Sequence, residues 1–373
     1  MIKVKPRIII GNSSIFLDAL RICAALTVLY IHAHDRWFPA LAHPEDQPGE
    51  PSHAAVVIFF VLSGFVIAHT TISKNRGGMQ YAQARLSRLC SVVLPALVLT
   101  GIIQVVLKYI DPVLLASYSR GFSGVRYLLS ATFCNELWLF SSAPPLNGSL
   151  WSLSFEFWYY TIFGLWIFRR GGWVSWLLPL AACLIAGPKI LLMMPVWLSG
   201  YAAYSLPRPT IKPAVAWLLV LAGVGSTYFA LGLIPSIPYK IGYKPLYYAN
   251  QFATDWLIGL FVAFTLWILP TGNQQSTEHN WTGLFRQVAD LTFPLYVLHF
   301  PLIILWRGIF GFEVNNGVQM WQALASVVVV SAIIGLILEK QRPLWSKFFK
   351  WALGNIPAKW RAVPASRPVV KTR

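Results

Sequence analysis

Charge is scarce in this chain, and negative charge is scarcest. Only 12% of its 373 residues are charged, and 13 acidic side chains stand against 30 lysines and arginines. A water-soluble domain carries about 25% charged residues. The deficit excludes an ordinary soluble globular protein. With 56% of residues hydrophobic, most of the chain must lie in lipid or be packed against other spans. Cysteine is scarce too. Cys23, Cys90, Cys134 and Cys183 have no ligand-like spacing and fall mostly in apolar runs, so they read as small hydrophobes. No disulfide framework and no metal site is expected. There is no internal repeat, low-complexity run or separate soluble domain. The first apolar segment lacks a small-residue cleavage site and exceeds a signal-peptide core, so it reads as a retained span.

What is abundant is positive charge, and its placement decides its meaning. A formal charge of +17 in one patch would suit nucleic acid. Here the basic residues gather at alternate ends of apolar segments, as the positive-inside rule requires, and no nucleic-acid partner is expected. Ten spans are predicted: 15–34, 54–72, 91–108, 151–168, 173–187, 190–206, 213–232, 251–269, 289–309 and 319–338. Placing the N-terminus in the cytoplasm puts 21 lysines and arginines on that side and 8 on the other. Both termini are therefore expected inside. The fold class that follows is all-α, a polytopic membrane helix bundle of about ten transmembrane helices. Residues 1–345 form its transmembrane domain and 346–373 a basic cytoplasmic tail suited to anionic lipid. The cytoplasmic (inner) membrane is the expected location, with the bilayer as a partner. Trp37, Trp138, Trp151, Tyr159, Tyr201, Trp306 and Trp321 recur near span ends, as an aromatic belt would. Residues 109–150 form the longest stretch between spans, and their apolar piece ATFCNELWLFSSA is expected at the membrane interface.

Five constellations carry chemistry. An ionisable residue inside a span is costly and marks a functional site by default. Asp18, Arg21 and His32 share the first span. Eleven helical steps return His32 to within about 20° of Arg21, roughly 16 Å along the axis. Asp18 lies three residues before Arg21 on the same broad face. The bland reading pairs Asp18 with Arg21 near one end and lets His32 snorkel at the other. The functional reading makes His32 a base, since imidazole takes a proton near neutral pH. His34 falls on the opposite side of the helix. In FFVLSGFVI, Ser63 and Gly64 interrupt a bulky span, either for helix packing or for close approach of a ligand. Arg85 and Arg88 share a helix face at i and i+3, as a topology signal or as a clamp for phosphates. In NGSLWSLSFEFWYY, Trp151, Ser152, Ser154 and Glu156 open the fourth span. Glu156 there either answers the helix dipole or joins a polar cluster facing a cavity. In LTFPLYVLHFPL, Tyr296 and His299 lie within the ninth span, and His299 reads equally as a satisfied core histidine or a site residue.

Taken in order, these segments resemble the acyltransferase-3 family of integral-membrane acyltransferases over nearly the whole chain. LDALRICAALTVLYIH is similar to its first-span arginine, ten intervening residues and histidine. FFVLSGFVI resembles its FFxxSGF segment, ARLSRL its RxxR, and LWSLSFEFWYY its WSLxxE block. LTFPLYVLHFPL and LEKQRP resemble its late SYxxYLxHxP and E-(K/R)-P patterns. Two departures stand out. Val57-Ile58 replace the acidic residue that many members carry before the FF pair, and the proline that often follows RxxR is delayed to Pro95.

The resemblance implies transfer of an acyl group, most often acetyl, from cytoplasmic acyl-CoA to a hydroxyl of an extracytoplasmic carbohydrate. The co-substrate is then acyl-CoA, the acceptor a glycan, and no bound cofactor is needed. In this reading His32 is the general base, Arg21 holds a donor phosphate or polarises the thioester, Asp18 orients Arg21, and Glu156 completes the catalytic set. Arg85, Arg88, Ser63 and Gly64 receive acyl-CoA. Trp151, Ser152, Ser154, Tyr296 and His299 line an acceptor site or pore. The competing readings are a transporter or flippase for a lipid-linked glycan or small molecule, which also uses intramembrane charge, and a non-catalytic scaffold.

Overall fold

The computed structural model describes residues 7, 9–42, 50–73, 77–169, 171–233, 246–270 and 280–355. The basic tail beyond 355 lies outside them, as do Lys3, Lys5, Lys74, Arg76, Arg170, Lys240 and Lys244 of the orientation count. The described residues form thirteen α-helices: α1 (Asn12–Trp37), α2 (Pro51–Ser73), α3 (Gly78–Ile110), α4 (Pro112–Tyr118), α5 (Ser123–Ala131), α6 (Trp151–Ile167), α7 (Leu177–Ala186), α8 (Pro188–Ser205), α9 (Pro213–Leu233), α10 (Phe252–Ile268), α11 (Asn280–Asp290), α12 (Thr292–Phe310) and α13 (Gly317–Gly354). Helix is what lipid demands, because only helices and closed barrels satisfy every backbone group without water. Local chemistry sets some of the starts. Asp111 accepts from the Leu114 N–H at 2.9 Å, with Pro112 at the first helical position of α4. Asn316 caps α13 through the Gln319 N–H at 3.0 Å.

All ten predicted spans fall on helices, but their lengths differ from expectation. Six helices, α1, α2, α3, α9, α12 and α13, are long and apolar enough to cross a membrane, and α7 with α8 makes a seventh as a pair bent by 115°. The bend sits at Gly187, whose φ of +79° favours glycine. A Cβ there would also press on the Trp138 backbone at 2.7 Å, where the Trp138 N–H donates to the Ala186 carbonyl at 3.1 Å. Helices α6 and α10 have 17 residues each, the short limit for a span. In contrast, α3 begins well before the predicted span and α13 runs far past it. Gln83 of α3 donates to the Ser346 carbonyl of α13 at 3.0 Å, so the two extensions run together.

Contacts at the two ends of the bundle give the order of the legs. At one end, Arg7 donates to the Tyr204 hydroxyl at 3.0 Å and to the Leu206 carbonyl at 2.7 Å, Trp267 donates to the Pro207 carbonyl at 2.9 Å, and Ser13 bonds the Pro270 carbonyl. At the other, the Asn315 N–H meets the Trp37 carbonyl at 2.7 Å and His53 meets Asp255 at 3.0 Å. The ends of α8 and α10 thus lie beside the start of α1, and the starts of α2, α10 and α13 lie at the opposite end, so both termini of the described chain lie at the same one.

Small residues set the closest packing. A Cβ on Gly64 would run into the Trp197 carbonyl oxygen, and one on Gly200 into the Val61 carbonyl oxygen. Helices α2 and α8 therefore touch backbone to backbone.

Two expectations change. Trp37, Trp151, Tyr159 and Trp306 are buried rather than belted at the lipid edge, whereas Trp138 and Trp321 are exposed. The buried ones tie helices together: Trp37 packs on Trp306 and donates to Gln319 at 3.0 Å. The apolar piece after α5 is not a uniform interfacial strip. Its Trp138, Leu139 and Phe140 are exposed, but its Glu136 turns inward to a fully buried ion pair with Lys189 at 2.6 Å. Burial pushes the Glu136 carboxyl up, while Lys189, Ser141 and Asn135 pull it back. Lys189 is thus a buried partner and not a free charge of the outer surface.

Candidate active site

A cavity opens among α1, α2, α3, α6 and α12. Each helix contributes through its own periodicity. From α3 come Arg85 and Arg88, from α1 Arg21, and from α6 Ser152, Glu156 and Tyr160 at four-residue steps along one face. Ser63 comes from α2, and Phe293 and Tyr296 from α12. The remaining wall is apolar, chiefly Val56, Phe59, Phe60 and Leu62. Three guanidinium groups and one carboxylate line a space walled by hydrocarbon. Such a site favours an anion, because low-dielectric walls concentrate the field of the cations.

The polar groups of the wall are tied to one another. Ser63 donates to Glu156 Oε1 at 2.7 Å, the Tyr160 hydroxyl donates to the same oxygen, and Trp197 donates to Ser63 at 3.1 Å. Arg85 is buried, with its guanidinium 5.7 Å from the Tyr160 ring centre. Arg88 sits 5.7 Å from the Phe293 ring centre. Arg21 lies 3.7 Å from Asp18 and 3.9 Å from Asp290, and Asp18 also lies 4.0 Å from Arg286. These separations exceed a charge-assisted hydrogen bond, so the carboxylates hold Arg21 by charge alone.

His32 does not line this cavity. It lies beside it, linked through Tyr296. The Tyr296 side chain lines the cavity, donates to the Ser149 carbonyl at 3.1 Å and takes the Ser152 hydroxyl at 2.7 Å. Its carbonyl meets His299 Nδ1 at 2.7 Å, and His299 Nε2 lies 2.8 Å from His32 Nδ1, with the two rings within 15° of coplanar. Arg36 donates to the His32 carbonyl at 2.5 Å and covers the Phe300 ring.

The structure therefore gathers Arg21, Ser63, Arg85, Arg88, Ser152, Glu156 and Tyr296 around one cavity. Asp18 stands behind Arg21, and His32 with His299 behind Tyr296. Three expected site residues are placed elsewhere. Gly64 faces α8. Trp151 is stacked between His53, at 5.8 Å, and Tyr248, at 4.2 Å. Ser154 donates to the Phe133 carbonyl at 2.7 Å and anchors the turn after α5. Sequence reasoning missed Asp290, Phe293, Trp197 and Tyr160. Tyr160 alone left a signal, standing four residues after Glu156.

An all-helical bundle with six or seven long apolar helices is a multi-pass membrane protein, and three arginines and one glutamate line the cavity among its helices. The sequence profile of the acyltransferase-3 family, an acyltransferase domain, matches residues 14–340, and the chain belongs to that family. No curated protein and no solved structure matches it. It is therefore a membrane acyltransferase.

Proposed function

We propose that the protein moves an acyl group, acetyl first among the candidates, from cytoplasmic acyl-CoA to a hydroxyl of an exported carbohydrate. One observation carries the reading: three arginines meet in an apolar-walled cavity whose Tyr296 wall connects through His299 to His32. The phosphates and thioester of acyl-CoA need cations, and Arg85 and Arg88 provide a planar fork pair for them. Arg21, held by Asp18 and Asp290, holds a further phosphate of the donor. Glu156 orients the hydroxyls of Ser63 and Tyr160 on the wall. His32 takes the proton of the acceptor hydroxyl as its oxygen attacks the carbonyl carbon, and coenzyme A leaves as thiolate, to be protonated to the thiol. The bundle end that carries Arg7 is cytoplasmic by the positive-inside rule, in the inner membrane of the cell.

The deciding experiment is mass spectrometry of surface glycans from cells with and without the protein. The expected result is one acetyl increment that depends on it. Glycans identical in acyl content would remove the carbohydrate acceptor. Orientation is checked separately by cysteine labelling in a background lacking the four native cysteines. Gln80→Cys, at the start of α3, should be protected from an impermeant reagent in intact cells, and Ser142→Cys should react. Labelling of both from outside would put donor and acceptor in one compartment.

A further inference from the structure

One fully enclosed histidine stands against the proposed base, and its bonds run in a fixed direction. We infer that His299 is a positioning residue that fixes the tautomer of His32 and leaves the His32 lone pair on Nε2. The inference deepens the proposed function and rests on the reading of His32 as general base. A backbone carbonyl can only accept, so His299 Nδ1, 2.7 Å from the Tyr296 carbonyl, carries the proton. A neutral imidazole holds one proton, so His299 Nε2 is an acceptor. His32 Nδ1 lies 2.8 Å from it and must donate. The other nitrogen of His32 is then unprotonated and available to an acceptor hydroxyl.

The anchor of this chain is itself held. Pro301 has no N–H to give the Val297 carbonyl one turn back, and Asn147 donates to that carbonyl instead at 3.0 Å. The Tyr296 hydroxyl is fixed between Ser149 and Ser152. His299 therefore sits on a turn of α12 whose backbone is pinned from α6 and the segment before it. The arrangement is not a proton wire. To pass a proton onward, His299 would have to give its own to a carbonyl, which is no base. Its work is orientation, as a carboxylate orients the histidine of a hydrolytic triad.

The test uses inside-out membrane vesicles of cells making the full-length protein. Transfer of labelled acetyl from acetyl-CoA to the vesicle glycan fraction is followed against acetyl-CoA concentration. His299→Ala should lower the saturated rate about 10²–10³-fold, within the range lost when a catalytic histidine is misoriented, and leave the half-saturating acetyl-CoA concentration unchanged. His299→Gln should recover most of the rate, because its amide can donate to the Tyr296 carbonyl while its oxygen accepts from His32. A wild-type rate in His299→Ala, or no advantage of Gln over Ala, overturns the inference. Should His299→Ala fail to fold, ¹⁵N-histidine NMR of the unmodified protein in lipid still decides. His32 assigned by His32→Ala must show protonated Nδ1 and bare Nε2, and the reverse assignment overturns the inference. Full activity of His32→Ala is a different outcome, because it removes the base reading itself.

Discussion

Replacing His32 with alanine is expected to lower acyl transfer by about 10²–10⁴-fold, the usual contribution of a general base. The amount of protein in the membrane should stay normal. The loss at the folded level is one imidazole–imidazole hydrogen bond and its ring contacts with His299 and Phe300. His34→Ala is the matched control. Two helical steps turn it roughly 200° from His32. It touches Tyr30, Asp35 and Phe38 and nothing of the cavity. Acetyl content of surface glycans, measured beside protein level in the membrane, reads both variants. Equal loss from the two would mean that the helix end, not the His32 side chain, is what matters. Unchanged acetylation in His32→Ala would remove the base from the mechanism.

The parts that were legible in the sequence are those that one helix decides by itself. Lipid imposes helix on every span, so apolar length was enough to put each predicted span on helix, although only six helices, or seven with the bent pair, are long enough to cross. Helical phase was enough to put Arg21 and His32 on one face, and Arg85 with Arg88 on another. What stayed hidden depends on which helix stands next to which. The partner of His32 lies 267 residues away, and the second partner of Arg21, Asp290, sits where α11 meets α12. Apolar periodicity says which face turns from lipid but not what it meets. Gly64 shows the same limit from the other side: a small residue in a bulky span was legible as a place of close approach, and the thing approaching is the backbone of α8. Trp37 looked like an interfacial anchor by its position at a span end, but the turn before α13 folds over that end and buries it.

Removing the cations from α3 should act on the donor and not on the chemistry. Arg85→Ala and Arg88→Ala are each expected to weaken coenzyme A binding about 10–100-fold, the equivalent of losing a hydrogen bond to a charged group of roughly 1.5–3 kcal/mol. Lysine at either position should rescue poorly. An ammonium keeps the charge but loses the planar fork that grips two oxygens at once, and the flat face that each guanidinium lays near Tyr160 or Phe293. Arg85 should show this more strongly than Arg88, because it is buried and water cannot replace what it holds. Calorimetric titration of the purified full-length protein with coenzyme A measures the effect directly, and its salt dependence separates charge from packing, since the pull of exposed charges fades as salt rises. The proton transfer lies elsewhere, at His32, so the rate at saturating donor should fall far less than the affinity. Coenzyme A binding that is unchanged when both arginines are alanine would reduce the pair to a topology signal and leave the cavity without a donor.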